Sequence, residues 1–180
     1  MNTFDQVCQQ CRHLKLASLV PQLPQLLEQA EANELSYLSF TDMLLSYEVK
    51  QRNEKRIAMN RRKAAFPVEK HLEAFDYRHQ TTINKRQVNQ LLDFDFIDNR
   101  NNLVFIGPPG VGKTHLSIGI GSKAIDAGYK VLFSTALALT ESLEIAELKG
   151  ELKKKINMLC KYDLIIIDEL GYLPMNKQGN

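Results

Sequence analysis

The stretch Leu103-Val104-Phe105-Ile106-Gly107-Pro108-Pro109-Gly110-Val111-Gly112-Lys113-Thr114 decides the fold. Four apolar residues come before a glycine-rich loop, and the residues after the loop have helical periodicity, so the pattern predicts a strand, a phosphate-binding loop and a helix. The glycines let the backbone come close to phosphate oxygens, and the helix presents the positive end of its dipole to the same anion. This stretch therefore predicts a nucleotide site.

The side chains at the end of the loop have distinct predicted roles. Lys113 is expected to reach the β- and γ-phosphates, and the Thr114 hydroxyl is expected to bind Mg²⁺. His115 has no partner that the sequence reveals, so packing or a capping contact is its default interpretation. The residues predicted to contact the nucleotide are Gly107, Pro108, Pro109, Gly110, Val111, Gly112, Lys113, Thr114 and His115.

A second motif is Leu164-Ile165-Ile166-Ile167-Asp168-Glu169, in which Asp168 lies 54 residues after Thr114. Four consecutive apolar residues are typical of a strand buried on both faces of a parallel sheet, and ligands bind at the carboxyl edge of such sheets. We expect Asp168 to hold Mg²⁺ and Glu169, with Lys113, to be catalytic, Glu169 by orienting and deprotonating the attacking water. The acidic pair favours hydrolysis of ATP over phosphoryl transfer to a metabolite.

Composition restricts the class of protein. With 180 residues the chain could hold one ordinary domain, or a small domain and part of another. The apolar runs are too short for a membrane span and the N-terminus lacks a signal-peptide pattern, so we expect a cytoplasmic protein with no membrane partner. The pair Cys8 and Cys11 has no second pair or histidine cluster to complete a zinc site, and is interpreted as two thiols on one helix face.

The net charge of +2 hides a basic segment between Lys50 and Lys63, where seven basic residues stand against Glu54 alone. In a helix most of them share one side, with Arg61 opposite. A solvated helix face and contact with the phosphates of double-stranded DNA are equally open interpretations of this segment. The candidate DNA-binding residues are Arg52, Lys55, Arg56, Arg62 and Lys63.

The periodicity indicates an α/β fold: a P-loop parallel sheet with flanking helices, preceded by a small all-α domain. A capping-box pattern at Ser39 predicts a long helix from there to about Ala65. Phe75 lies upstream of the loop, and core packing is preferred to contact with the adenine ring as its role. We assign residues 1–66 to a helical domain, 67–101 to a connector and 102–180 to a partial ATPase core. The predicted elements after residue 66 are a strand at Leu103–Ile106, helices near Asn84–Leu92, at Lys113–Ala127, Ala136–Glu147 and Glu151–Cys160, and strands at Lys130–Ser134 and Leu164–Asp168.

Gly107–His115 together with Asp168-Glu169-Leu170-Gly171-Tyr172-Leu173-Pro174 resembles the IstB-like ATP-binding proteins, the helper ATPases of insertion-sequence transposition. The runs Arg61–Pro67 and Leu72–Asp76 also fit that family. The resemblance implies an AAA+ ATPase that assembles as a homo-oligomer on double-stranded DNA and delivers target DNA to a transposase. It also implies ATP and Mg²⁺ as cofactors, with Lys113 and Thr114 on the phosphates and metal and with Asp168 and Glu169 on the metal and water.

The family's sheet places a fourth strand between the glycine-loop strand and the Asp-Glu strand, and that strand would lie beyond Asn180. We therefore expect a truncated reading frame or a fragment, with weak or absent ATPase activity and a tendency to aggregate. Three alternatives stay open. They are a helicase loader of the DnaC type, a P-loop small-molecule kinase, and an inert remnant that does not bind ATP.

Overall fold

The structure is a computed structural model that describes residues 2–79 and 83–172. The chain divides into two compact units, Met1–Arg56 and Ile57–Asn180. This division falls inside a long helix, whereas the sequence pattern drew the domain limit at residue 66. Within the described ranges, none of the helices has both the length and the hydropathy needed to cross a membrane.

The first unit contains helices α1 (Thr3–His13), α2 (Leu23–Ala32) and most of α3 (Tyr37–Lys63). The start of α3 differs from the prediction by two residues. The Oγ of Ser36 accepts a hydrogen bond from the N–H of Ser39 at 3.1 Å, so Ser36 caps the helix and Ser39 already lies in its first turn. The expected start at Ser39 was therefore wrong, because Ser36 supplies the same hydroxyl one turn earlier.

The second unit continues with short helices and then an α/β core. Its longer elements agree with the sequence-based bounds to within one residue at each end. These longer elements are α6 (Lys113–Asp126), β1 (Val131–Thr135), α7 (Ala136–Leu148), α8 (Leu152–Leu159) and β2 (Leu164–Asp168). Before them lie α4 (Lys85–Gln90), which ends two residues before the predicted Leu92, and α5 (Asp95–Asp98), which the sequence pattern did not predict. The 3₁₀ turns lie at Leu72–Ala74, Tyr77–His79, Leu91–Asp93 and Leu170–Tyr172.

Strands β1 and β2 pair in parallel, with Val131 opposite Leu164 and Thr135 opposite Asp168. Helices α7 and α8 form the crossover that parallel strands require. Helix α6 packs against this sheet, and a Cβ at Gly121 would lie 2.6 Å from Cδ1 of Ile166. Gly121 therefore permits this close approach of the helix to the sheet. The buried apolar core around the sheet comprises Ile118, Ala124, Ile125, Val131, Phe133 and Ile166.

The predicted strand at Leu103–Ile106 is not formed, and the described sheet has two strands. Residues 101–108 carry no regular structure. Phe105 alone of the four apolar residues packs at the core, against the cluster around Leu116 and Ile120, whereas Val104 is 68% exposed and Ile106 is 92% exposed. A strand exists only through hydrogen bonds to a neighbour, and no described strand lies beside this segment. The apolar character of Leu103–Ile106 therefore wrongly indicated a strand.

Candidate nucleotide site

The glycine loop leads directly into α6, which begins at Lys113. Gly112 has a φ of 90°, a left-handed conformation that side chains rarely adopt. A Cβ at Gly112 would also lie 2.5 Å from Cε2 of Phe75. Glycine is therefore required at this position twice, once by the backbone and once by the neighbouring ring.

The loop has free hydrogen-bond donors. Among residues 2–79 and 83–172, the backbone N–H groups of Gly110 and Gly112 have no hydrogen-bond acceptor. The first N–H groups of α6 add to this set, because the first turn of any helix leaves its donors without intrahelical partners. A row of donors at the positive end of a helix dipole is suited to an anion such as a phosphate group.

The ammonium group of Lys113 turns back onto the loop. Its Nζ donates hydrogen bonds of 2.8 Å to the carbonyl oxygens of Gly107 and Pro108. These bonds hold the cation over the loop, where the sequence motif places phosphate oxygens. The carbonyls are neutral acceptors, so a phosphate anion would be a stronger partner for the same group.

Thr114 and Asp168, the two residues to which the sequence assigns the metal, contact each other. The Oγ1 of Thr114 donates a hydrogen bond of 2.8 Å to Oδ2 of Asp168, and both residues are half-buried. A hydroxyl and a carboxylate are hard oxygen ligands of the kind that Mg²⁺ binds, usually with waters and substrate phosphates completing the shell. In the described ranges no group of three or more His, Cys, Asp or Glu could hold a metal alone. The donor set fits an ion that is shared with a nucleotide.

Glu169 follows the end of β2 and is exposed. Its φ is 59°, which places a residue other than glycine in the left-handed region. Such a conformation costs on the order of 1 kcal/mol and is common at functional sites. The sequence did not reveal this strain at Glu169.

His115 and Phe75 belong to a small aromatic group beside the loop. The Nε2 of His115 donates a hydrogen bond of 2.8 Å to the carbonyl of His71. The ring of Phe75 meets those of His115 and Tyr77 edge to face, at centroid distances of 5.3 Å and 4.8 Å. Phe75 also packs against the apolar cluster around Leu116 and Ile120, which confirms the core-packing interpretation. Burial raises the pKa of the Tyr77 phenol.

In the first unit, the candidate DNA-binding residues have partners. Arg52 bonds to the carboxylate of Glu48 and to the carbonyl of Lys15. Lys55 donates to the hydroxyl of Ser18 at 2.7 Å, and Arg56 donates to the side chain of Asn53 at 2.7 Å. These three side chains therefore contribute to local structure, although all three residues are exposed.

In the second unit, the basic residues at the end of α3 differ from one another. Arg61 bonds to Ser122 and Asp126 of α6 at 3.0 Å and 2.5 Å. The periodicity placed Arg61 on the side of α3 opposite to most of the other basic residues. Arg62 and Lys63 are exposed and have no hydrogen-bond or ion-pair partner among the described residues. Next to them is a cleft of about 220 Å³, whose polar lining is Arg61, Arg62, Glu69, Lys70, His71 and Ser122. Lys70 was missed by the sequence reasoning, since it lies outside the helix.

The chain matches the family of IstB-like ATP binding proteins over residues 9–180. It is 39% identical over 141 residues to an ATP-binding protein of insertion sequence IS5376 from Geobacillus stearothermophilus, covering 78% of this chain and 56% of the relative. It is 38% identical over 143 residues to an ATP-binding protein of insertion sequence IS21 from Pseudomonas aeruginosa, covering 79% and 54%.

A third relative is aligned with almost the whole chain. It is an ATP-binding protein of insertion sequence IS232 from Bacillus thuringiensis subsp. berliner, 33% identical over 177 residues, which cover 98% of this chain and 71% of the relative. The chain spans about half the length of the first two relatives. The described residues form a loop with free N–H donors, a lysine above the loop and a Thr114–Asp168 pair beside it. With this geometry and a family match over nearly all its residues, the chain is a member of the IstB-like ATP-binding protein family.

Proposed function

We propose that this chain binds ATP with Mg²⁺ and acts as a DNA-binding helper of insertion-sequence transposition that delivers target DNA to a transposase. The contact between Thr114 and Asp168 is the observation that carries the nucleotide part, because it joins the two motifs at one point beside the loop. The insertion-sequence proteins among the relatives support the transposition part.

Each residue of the site has a defined task. Lys113 would exchange the carbonyls of Gly107 and Pro108 for the β- and γ-phosphates, while the loop N–H groups bind the same anion. The Thr114 hydroxyl and the Asp168 carboxylate would hold Mg²⁺, and the ion would offset the negative charge of the phosphates. Glu169 would orient water for attack on the γ-phosphate. We propose that turnover by this chain alone is weak or absent.

Nucleotide titration tests this part. Binding of a fluorescent ATP analogue would be measured with Mg²⁺ and with EDTA, for the wild type, Lys113→Ala and Lys70→Ala. Both variants lose one lysine, but only Lys113 reaches the loop. We expect Lys113→Ala to weaken binding by about tenfold or more, as loss of a charge-assisted hydrogen bond to phosphate would, and Lys70→Ala to bind normally. Equal affinity in all three proteins would reject the site.

The DNA part rests on the unpaired cations of the second unit. Arg62 and Lys63 are exposed without partners among the described residues, and Lys70 lines the adjacent cleft. Glu69 is the opposing charge in that lining. Such a group suits sequence-independent contact with phosphates of duplex DNA. Arg52, Lys55 and Arg56 would contribute less to it, since each already has a partner within the protein.

Salt-dependent binding to a duplex tests the DNA contact. The affinity of the wild type would be measured over a series of salt concentrations and compared with Arg62→Ala/Lys63→Ala and with Lys50→Ala/Arg56→Ala, which removes the same charge from the same helix. We expect the slope of log K against log salt to fall by about 1 for each phosphate contact removed, in the first double variant alone. The same decrease in slope in both double variants would mean that DNA binding depends only on the overall charge of the protein.

The biological partner is tested by co-purification. We propose that the protein assembles as a homo-oligomer on DNA and contacts a transposase. Pull-down of the transposase encoded by the same insertion sequence would support this proposal. Retention of the replicative helicase instead would favour the helicase-loader alternative, and transfer of phosphate to a metabolite, with no effect of DNA on nucleotide affinity, would favour the kinase alternative.

A further inference from the structure

We propose that the segment His71–Phe75 is a strap that positions the glycine loop, and that His115 is its anchor rather than a contact of the nucleotide. This inference rests on the proposed ATP binding and assigns a role to residues outside both nucleotide motifs. It concerns the placement of Lys113 and Thr114, which immediately precede His115 in the first turn of α6.

The strap touches the loop at two points. The Nε2 of His115 donates to the backbone carbonyl of His71 at 2.8 Å, and a peptide carbonyl can only accept, so the hydrogen lies on the imidazole. The ring of Phe75 packs on the His115 ring and fills the space in which a Cβ of Gly112 would lie. The residues on either side of the Lys113–Thr114 pair are therefore held by one segment.

The strap is fixed further along the same helix. Leu72 is buried, and its Cδ2 lies 2.5 Å from the place of a Cβ at Gly119. Glu73 forms an ion pair of 2.6 Å with Lys123. The three contact positions on α6, His115, Gly119 and Lys123, are spaced by four residues and share one face of the helix.

This arrangement has a direct consequence for binding. A side chain must lie within a fraction of an ångström of its productive position to retain a strong hydrogen bond to a ligand. The first turn of a helix is the turn most prone to fraying, and here it carries both Lys113 and Thr114. An imidazole bonded to a backbone carbonyl outside the helix restrains this turn without occupying the space above the loop.

Two pairs of variants test the strap. His115→Ala removes the hydrogen bond, whereas His115→Gln retains an N–H donor on a flexible chain. Phe75→Ala removes the packing on Gly112, whereas Phe75→Leu retains most of the apolar volume. The dissociation constant for the Mg²⁺ complex of a fluorescent ATP analogue would be measured well below the melting temperature, and the melting temperature would be measured without nucleotide.

We expect His115→Ala and Phe75→Ala each to weaken nucleotide binding by about fivefold to tenfold, the loss typical of one hydrogen bond or packing contact. The conservative variants should recover most of the affinity. In the double variant the losses should not add, because both residues act on the same turn. Lys123→Ala, which breaks the strap's distant ion pair, should lower the melting temperature slightly and weaken nucleotide binding less than His115→Ala does, because its contact lies two helical turns away from Lys113 and Thr114.

The outcomes separate this inference from the proposed function. If the wild type binds the analogue and both alanine variants bind equally well, with only their melting temperatures lowered, the strap is merely structural and the inference is wrong. A loss in His115→Ala with no change in Phe75→Ala would make the imidazole a direct contact and also overturn it. If the wild type itself does not bind, the proposed function fails and the inference fails with it.

Discussion

Thr114 Oγ1 donates a 2.8 Å hydrogen bond to Asp168 Oδ2, across 54 residues of sequence. Thr114 lies in the first turn of α6 and Asp168 is the last residue of β2. The contact depends on the packing of α6 against the sheet and on the parallel register that brings the ends of β1 and β2 to the same edge. It places a metal-ligand pair beside the loop that carries the anion-binding donors.

Thr114→Ala should abolish the gain in nucleotide affinity that Mg²⁺ produces. The substitution removes one of the two protein oxygens proposed for the ion, and the expected loss is about tenfold. Thr114→Ser keeps the hydroxyl and should retain the effect. Titrations with Mg²⁺ and with EDTA measure the gain, and an unchanged Mg²⁺ effect in Thr114→Ala would remove this residue from the metal site.

Gly112→Ala should destabilise the protein more than Gly110→Ala. Both glycines have positive φ, 90° and 81°, so both substitutions carry backbone strain of about 1 kcal/mol. Only at Gly112 does the added Cβ meet a neighbour, Phe75, and such overpacking costs a further 1–3 kcal/mol or so. Urea unfolding measures the difference, and adding Phe75→Leu to Gly112→Ala should recover part of it. Equal stabilities would show that the ring moves aside freely.

Arg61→Ala should lower stability, whereas Arg62→Ala should lower DNA affinity. Arg61 bonds to Ser122 and Asp126, so its loss should lower the free energy of unfolding by about 1 kcal/mol, a modest value because Asp126 is half exposed. Arg62 has no partner among the described residues, so its loss should change stability by less than about 0.5 kcal/mol and weaken DNA binding instead. Chemical unfolding of the two variants measures the change in stability, and DNA titration measures the change in affinity.

The ion pair between Glu73 and Lys123 should give a pH-dependent contribution to stability. The hydrogen bond from Lys123 lowers the pKa of Glu73 below its ordinary value near 4.5, and the same contact raises the pKa of Lys123 above 10.5. A lowered carboxyl pKa stabilises the fold above the ordinary value and is lost as pH falls through the folded value. A raised lysine pKa stabilises below its ordinary value and is lost as pH rises through the folded one.

Melting curves of the wild type and Glu73→Gln should therefore differ between about pH 5 and pH 10 and converge outside that window. The difference should be small and should shrink in high salt, since both side chains are largely exposed. A difference that persists below the folded pKa of Glu73, where its carboxyl group is protonated, would mean that the glutamine disturbs the strap by some other route.

Local signals predicted most of the second unit. The glycine loop, the left-handed Gly128 after α6 and the apolar run ending at Asp168 each act over a few residues, so α6 and β2 could be placed to within one residue. The start of α3 could not, because Ser36 and Ser39 both suit a helix cap, and the structure uses Ser36.

The residues of the nucleotide motifs and the chemistry expected of them follow from sequence alone, because loop geometry and metal-ligand type depend on residue identity at short spacing. Tertiary structure decided which groups meet. It joined Thr114 to Asp168, gave His115 a partner at His71, and gave Arg52 and Lys55 partners within the protein. It also left Leu103–Ile106 without a partner strand among the residues that the structure describes. Hydrogen bonds between distant residues and strand pairing depend on the neighbour as much as on the residue itself, and no local pattern of amino acids specifies that neighbour.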